Sequence, residues 1–148
     1  MKQFCYVSEA TATKPQLLED LRNILSEARN FNHQHHICGV LYFSEGQFFQ
    51  CIEGEHEVMQ QLIEKLRKDQ RHQDFKFFEP KEINQPLFSD WSMKYVSRHS
   101  DIQQFFLAQG FQKFEPKSLN QSQVDQFLVL LQRLNHIEDI IQNEKSPN

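Results

Sequence analysis

The chain has 148 residues, a formal net charge of −4 at pH 7 and 24% charged residues, which suits one domain with room for a short appendage. Because it has no basic block and no apolar run near the ~20 residues that span a bilayer, we expect neither direct nucleic-acid binding nor a membrane anchor. Its start, MKQFCYVSEA, lacks the apolar centre of a secretion signal, so we expect a cytoplasmic protein.

The first two thirds of the chain predict seven elements. Clustered or alternating apolar residues mark strands, and apolar residues three or four positions apart mark helices. In chain order the elements are a strand at 3–8, a helix at 15–30, hairpin strands at 37–43 and 47–52, a helix at 55–69, a strand at 75–79, and a strand at 91–96 reached through residues 83–88. This βαββαββ order favours a ferredoxin-like α+β sheet with both helices on one face.

The last third of the chain predicts only helices. They lie over 101–109 and 121–141, on either side of a break near Gly110. The second helix carries an apolar stripe at near-heptad spacing, which must cover either the free face of the sheet or a partner. We therefore expect two parts, a domain over 1–97 and a C-terminal helical extension over 98–148.

One polar residue interrupts the apolar hairpin. Alternation along its second strand places Gln50 with Phe48 and Ile52 on one face, and Phe49 and Cys51 on the other. A primary amide among aromatic side chains needs partners for its donors and its acceptor, or it destabilises the fold. Taken alone, Gln50 is either an edge-strand residue that reaches water or an amide directed at a polar ligand.

Five short fragments along the first 95 or so residues carry a family resemblance. They are Tyr6-Val7-Ser8, Asn32 with Ile37-Cys38-Gly39-Val40-Leu41, Phe49-Gln50 with Glu53-Gly54, Asp69-Gln70-Arg71-His72, and Trp91-Ser92-Met93. Each fragment alone is weak, but in this order and spacing they resemble the BLUF family of blue-light sensors that use FAD, and especially its short stand-alone members. The family's usual threonine before the glycine is Cys38 here, which is similar in size.

The resemblance implies an FAD between the two predicted helices, over the sheet. Asn32 and Gln50 would pair with the polar edge of its ring, since amides donate and accept side by side. Tyr6 would be the electron and proton donor and would hydrogen-bond to Gln50. The photochemical set implied in this way is Tyr6, Ser8, Gln50, Trp91 and Met93. The implied ring contacts are Ile24, Leu25, Ala28, Ile63 and Leu66, and the candidates for the phosphate neighbourhood are Arg29, Arg71 and His72.

The resemblance also implies a route for the signal. Trp91 and Met93 lie one alternation step apart on the last predicted strand, so we expect them to share a face. They resemble the pair that shifts near Gln50 after illumination, and Gln50 itself would rotate or tautomerise. The change would then pass to the helices at 101–141. Without a second catalytic unit, the output would be a contact with a downstream regulatory protein, such as a transcription regulator, made by a monomer or weak homo-oligomer.

Other functions remain open from the residues alone. His33, His35 and His36 suggest a metal, but they alternate on a loop without a Cys or Asp set at metal-site spacing, which favours a solvated turn. A light-independent flavin-containing redox or temperature sensor is a second function class, and the presence of Tyr6 and Gln50 speaks against it. A small hydrolase on the same sheet would need a glycine-rich anion loop, for which four glycines are too scattered. We therefore expect no enzymatic activity.

Overall fold

The structure, a computed structural model, describes residues 1–136. Within that range, six strands and two α-helices are followed by two further α-helices. In order they are β1 Lys2–Ala10, α1 Gln16–Gln34, β2 Cys38–Ser44, β3 Gln47–Gly54, α2 His56–Lys68, β4 His72–Phe77, β5 Lys81–Glu82, β6 Lys94–Val96, α3 Ser100–Ala108 and α4 Gln121–Arg133, with a 3-10 turn at Pro116–Ser118 between α3 and α4.

The described strands form one mixed sheet. Its order is β4-β1-β3-β2-β6, and β5 pairs with the start of β1. β3 lies antiparallel to both β1 and β2, whereas β6 joins the edge parallel to β2. This is the strand order of a ferredoxin-like βαββαβ unit with one strand added, so the predicted α+β fold is confirmed. Gly39 belongs to this pairing, because any Cβ there would collide with the carbonyl oxygen of Cys51.

The sheet is buried on both faces, and each face packs against different helices. α1 and α2 cover the face that carries Tyr6, Leu41, Phe48, Ile52 and Tyr95. α3 and α4 cover the face that carries Val40, Tyr42, Phe49, Cys51 and Val96. The alternation predicted for the second hairpin strand is therefore confirmed, and Gln50 lies on the α1–α2 side.

The apolar stripe of α4 covers the sheet itself. Its buried side chains are Val124, Phe127, Leu128, Leu130 and Leu131. The ring of Phe127 lies 4.9 Å from that of Phe49 and 6.1 Å from that of Tyr42, measured between centroids. A capping box of Asn120 and Gln123 fixes the start of the helix. Of the two roles that the stripe could have had, the structure shows the one that closes the second face of the sheet.

Two strands differ from the prediction. β4 begins at His72 rather than at residue 75. Asp74 has a φ of 52°, and the pairing of β4 with β1 shifts register between Val7 and Glu9. This irregularity is a β-bulge, and the strand continues on its N-terminal side to His72. β5 at Lys81–Glu82 was not predicted. Residues 83–88, predicted only as the lead into the last strand, form no strand: Pro86 has no N–H to donate, and the N–H groups of residues 87 and 88 bind a carboxylate.

The ends of the last elements also differ from the prediction. β6 covers only Lys94–Val96, so Trp91 precedes it. α4 ends at Arg133, where Leu134 turns to extended backbone. The predicted continuation to 141 is therefore wrong for residues 134–136, and its remainder lies outside the described residues.

A pair of substitutions in α4 tests its packing on the sheet. Phe127→Ala should lower the free energy of unfolding by about 3–5 kcal/mol, since it opens a cavity under a fully buried ring. Val129→Ala, on the exposed side of the same helix, should change it by less than about 0.5 kcal/mol. Urea unfolding followed by circular dichroism measures both. Equal small losses would mean that α4 does not pack on the sheet in solution.

Candidate functional site

A cavity of about 330 Å³ lies between α1, α2 and the sheet. Its apolar walls come from helix positions one turn apart, which share a face of their helix. The lining residues are Ile24, Glu27, Ala28, Phe31 and Asn32 of α1, Leu62, Lys65, Leu66, Lys68 and Asp69 of α2 and its end, Gln50 of β3, and Arg71 and His72 at the start of β4. Seven of the residues assigned from the sequence thus meet here: Ile24, Ala28, Asn32, Gln50, Leu66, Arg71 and His72.

A chain of three side chains crosses the sheet at the cavity. Tyr6 and Gln50 are direct cross-strand partners in β1 and β3, and the Tyr6 hydroxyl donates to Gln50 Oε1. Gln50 Nε2 donates in turn to the sulfur of Met93, 3.9 Å away. Burial, with the nearby Asp69 carboxylate, raises the pKa of Tyr6 above its ordinary value, so the phenol keeps its proton and acts as the donor. Because a thioether is a weak acceptor, the amide is held firmly on one side and loosely on the other.

Asn32 leaves one polar atom without a partner at the cavity. The side chain is fully buried in the last turn of α1, and its Nδ2 donates to the carbonyl of Ser92 at 2.7 Å. Its Oδ1 accepts no hydrogen bond within the described chain. An unpaired buried acceptor costs free energy that a ligand N–H would restore. The amide is therefore already oriented by the protein, with its acceptor left for a ligand.

His72 is the second buried residue with an unpaired atom. Its Nδ1 lies 2.8 Å from the hydroxyl of Ser8, which brings that predicted residue beside the cavity. Its Nε2 has no hydrogen-bond partner among residues 1–136 and lies 3.7 Å from the carboxylate of Asp69. Burial lowers the pKa of His72 to about 4; Asp69 opposes this shift and Arg71 adds to it. The imidazole is therefore neutral at pH 7.

Arg71 connects the two helices at the mouth of the cavity. Its guanidinium Nη2 lies 3.0 Å from Glu27 on α1 and 2.8 Å from Asp69 at the end of α2. Asp69 also accepts from the backbone N–H of Arg71, and these hydrogen bonds lower the pKa of the carboxyl despite its partial burial. Arg71 thus has carboxylate partners, and its role near a phosphate stays a prediction.

Of the residues predicted as ring contacts or phosphate candidates, three lie outside the cavity lining. Leu25 and Ile63 belong to the apolar cluster beneath α1 and α2. Arg29 points away from the cavity: its Nε donates to the carbonyl of Met93 at 3.2 Å, and Nη2 lies 3.4 Å from His136. The described structure thus gives Arg29 a contact with the residues before β6 rather than a place in the cavity wall.

The prediction that Trp91 and Met93 share a face is wrong. Met93 packs in the cluster under α1 and α2, whereas Trp91 packs against the cluster under α3 and α4. The alternation argument failed because residues 92 and 93 are bends, so regular strand geometry begins only at Lys94. Met93 is therefore the member of the pair that contacts Gln50.

The family of the chain follows from comparison with known proteins. A family model described as "Sensors of blue-light using FAD" (BLUF) matches residues 1–94. The chain belongs to the BLUF family. The predicted membership is confirmed, and with it the general function of a flavin-binding blue-light sensor.

Solved BLUF proteins share the fold over most of this chain. The photo-activated state of BlsA is 44% identical, covers 93% of this chain and 99% of its own, and superposes with a TM-score of 0.89. The dark state of BlrB is 25% identical, covers 88% and 94% of the two chains, and gives a TM-score of 0.74. The fold around the cavity is thus the fold of these two solved proteins.

Curated relatives are much longer proteins. The photoactivated adenylate cyclase subunit beta of Euglena longa is 39% identical over 69 residues, which are 47% of this chain but 8% of that protein. The similarity therefore concerns a small part of that cyclase and says nothing about cyclase activity.

The sequence did not assign a role to two residues in or near the site, Leu62 and Glu53. Leu62 lies four positions before Leu66, so helical spacing could have found it. Glu53 is a fully buried carboxylate that accepts from Gln3 Nε2 and from the backbone N–H groups of Leu87 and Phe88. It anchors the segment that leads to Met93, and no local pattern signals a contact across 34 residues.

The described residues give two further facts about the BLUF chain. Between residues 1 and 136, no group of three His, Cys, Asp or Glu side chains is placed to hold a metal ion. None of the helices in that range is long and apolar enough to cross a membrane.

The low pKa of His72 should make the folded protein less stable as the pH falls below about 6.5. Its pKa of about 4 in the folded protein lies below the ordinary 6.5, so between these values the unfolded chain binds a proton that the folded chain does not. The free energy of unfolding should therefore fall as the pH drops from about 6.5 to 4, by at most roughly 3 kcal/mol. Urea unfolding at half-unit pH steps measures this dependence.

Two substitutions isolate the contribution of His72. His72→Gln, which keeps a polar partner for Ser8, should flatten the dependence in this pH range. His33→Gln, at an exposed position of α1, should leave it unchanged. An unaltered dependence in His72→Gln would assign the effect to other groups.

Proposed function

We propose that this chain is a blue-light photoreceptor that binds FAD in the cavity between α1 and α2 and signals through the side chain of Gln50. The observation that carries the proposal is the position of Gln50, which lines the cavity while it joins Tyr6 to Met93. The amide of Gln50 has one strong and one weak hydrogen-bond partner, so rotating it breaks only one strong hydrogen bond. A group bound in the cavity that gains or loses a hydrogen-bond donor next to Gln50 would therefore rotate the amide.

The donor set of the cavity fits the polar edge of a flavin ring. Asn32 Oδ1 supplies an acceptor for a ring N–H, and Gln50 supplies an amide beside it. Ile24, Ala28 and Leu66 supply apolar contacts for the flat faces of the ring. A bound flavin would absorb blue light and, once excited, accept an electron and a proton. FAD, rather than a shorter flavin, is the finer part of the proposal, and chromatography of the flavin released on denaturation tests it.

Tyr6 is the residue that we propose to supply the electron and the proton. Its hydroxyl is fully buried and donates to Gln50 Oε1. When that proton leaves, Gln50 Oε1 loses its donor, so the reason for the present amide orientation disappears. Rotation of Gln50 would then direct Nε2 at Tyr6, and the Met93 sulfur would lose the N–H that it accepts in the present structure. Tautomerisation would instead leave Oε1 facing Tyr6, with a proton moved from Nε2 to that oxygen.

Residues 92 and 93 would carry the change onward. Asn32 binds the carbonyl of Ser92, Arg29 binds that of Met93, and β6 follows directly. We propose that residues 1–97 form the flavin-binding part and residues 98–148 the output part. The output would be a contact with a downstream regulatory protein in the cytoplasm, such as a transcription regulator, made by a monomer or weak homo-oligomer without enzymatic activity. Direct binding to nucleic acid or a membrane is not part of the proposal.

The absorption spectrum of the purified protein, in darkness and under blue light, tests the proposal. A flavin band that shifts to longer wavelength and recovers in darkness is the expected result. Gln50→Leu and Tyr6→Phe should each retain the flavin and lose the reversible shift, because each removes one partner of the same hydrogen bond. Tyr42→Phe makes the same chemical change on the opposite face of the sheet and should keep the shift.

The competing function gives a different spectrum. A flavin-containing redox or temperature sensor would bind flavin without a reversible light-induced shift. A normal shift in Gln50→Leu would refute the role of the amide and leave light sensing intact. Deleting residues 98–148 is a poor test of output, since it would expose the apolar sheet face that α4 covers.

A further inference from the structure

We infer that Lys94 couples β6 to α4 as a positioning residue, so that a displacement at Met93 reaches the C-terminal turn of α4. The inference deepens the proposed function, on which its light-dependent part rests. It concerns a residue that does not line the flavin cavity and has no role in the chemistry proposed for Tyr6 and Gln50.

The Lys94 side chain is buried between the sheet and α4. The residue has no exposed surface, and its Nζ donates to the carbonyl of Gln132 at 2.7 Å. The same ammonium lies 4.2 Å from the ring centroid of Trp91, within the range of a cation–π contact. Lys94 therefore joins three segments: β6, the bend before it, and the end of α4.

The place of this contact on α4 makes it hard to replace. Gln132 is the penultimate residue of the helix, where backbone carbonyls lack intrahelical partners and the helix dipole favours a cation. Among residues 1–136, the ammonium group of Lys94 donates its hydrogen bond to the carbonyl of Gln132. Burial lowers the pKa of Lys94, in accord with a desolvated ammonium. Because an unpaired buried charge is strongly destabilising, β6 and the end of α4 should move together.

The position of Lys94 beside Met93 connects this link to the switch. Met93 faces Gln50 under α1 and α2, whereas Lys94 pairs with Val40 and faces α4 on the other side of the sheet. The two residues share a peptide bond, so a backbone shift at one displaces the other. A rearrangement of Gln50 that moves Met93 would thereby act on Gln132 through Lys94.

Lys81 offers a matched control. Its Nζ lies 3.3 Å from Asp125 of α4, so it also joins a strand of the sheet to that helix. The two side chains are 49% and 39% exposed, and an exposed ion pair is screened by solvent and contributes little. Lys81 also lies on β5, which pairs with β1, so that β3 and β2 separate that part of the sheet from β6. Replacing it changes a lysine–α4 contact without touching the inferred link.

The test is hydrogen exchange of residues 124–133 in the flavin-loaded protein, measured in darkness and under blue light. In Lys94→Met the red shift of the flavin should persist, while the light-minus-dark change in exchange across α4 falls at least fivefold. Lys94→Arg, which keeps a cation, should retain part of that change. Lys81→Met should keep both the red shift and the full change. A full light-dependent change in Lys94→Met would overturn the inference.

A second measurement separates this inference from the proposed function. In darkness, Met93→Ala should change the hydrogen-exchange rates of α4 in the protein that keeps Lys94. In the Lys94→Met background, the same substitution should change those rates at least fivefold less. Equal effects in the two backgrounds would overturn the coupling, whatever the photochemistry. A wild-type protein without a red shift would instead refute the proposed function. Replacement of a buried charge by an apolar isostere is often tolerated; if the methionine variant fails to fold, Lys94→Gln takes its place in the same cycle.

Discussion

The hydrogen bond from Tyr6 to Gln50 is the contact around which the rest of the site is arranged. It joins the two central strands of the sheet at a directly opposed pair, and the burial that keeps the Tyr6 proton in place also fixes which atom of the amide faces it. The remaining amide donor contacts a sulfur, which is a weak acceptor. A switch requires a second state within a few kcal/mol of the first, and a weak bond to Met93 favours this because little free energy is lost when it breaks.

The covering of both sheet faces determines how such a switch could act at a distance. α1 and α2 enclose the site on one face, and α4 closes the other, so within residues 1–136 the sheet has no broad apolar face left to bind a partner directly. A change at Gln50 must therefore alter how packed elements contact each other. β6 is suited to this because it is a three-residue edge strand whose neighbouring side chains enter the two cores in turn. Packed interfaces tend to have discrete arrangements rather than to deform continuously.

The sequence predicted the parts of the site whose signals are local. Period-two alternation placed Gln50 on the correct face, and helical spacing placed Ile24 and Ala28 on the cavity wall. It failed for Trp91, where two bends replaced the strand that the alternation assumed. The contacts at those bends are not local: Asn32 donates to the carbonyl of Ser92, 60 residues further along the chain, and Arg29 donates to that of Met93, 64 residues further along. A contact of that kind depends on the finished register of the sheet, which no window of sequence contains.

The buried polar groups differ in how completely the protein satisfies them, and this difference separates structural from ligand-binding roles. Glu53 has at least three donors from side chain and backbone, so it needs nothing further and acts as an anchor. Asn32 and His72 are also buried, yet each has one side-chain atom without a hydrogen-bond partner among residues 1–136, and both line the same cavity. A buried polar atom costs free energy while it stays unpaired, and a ligand that pairs it recovers that free energy. A ligand that completes these hydrogen bonds should therefore stabilise the fold, by an amount that rises with the logarithm of the ligand concentration once that concentration exceeds Kd.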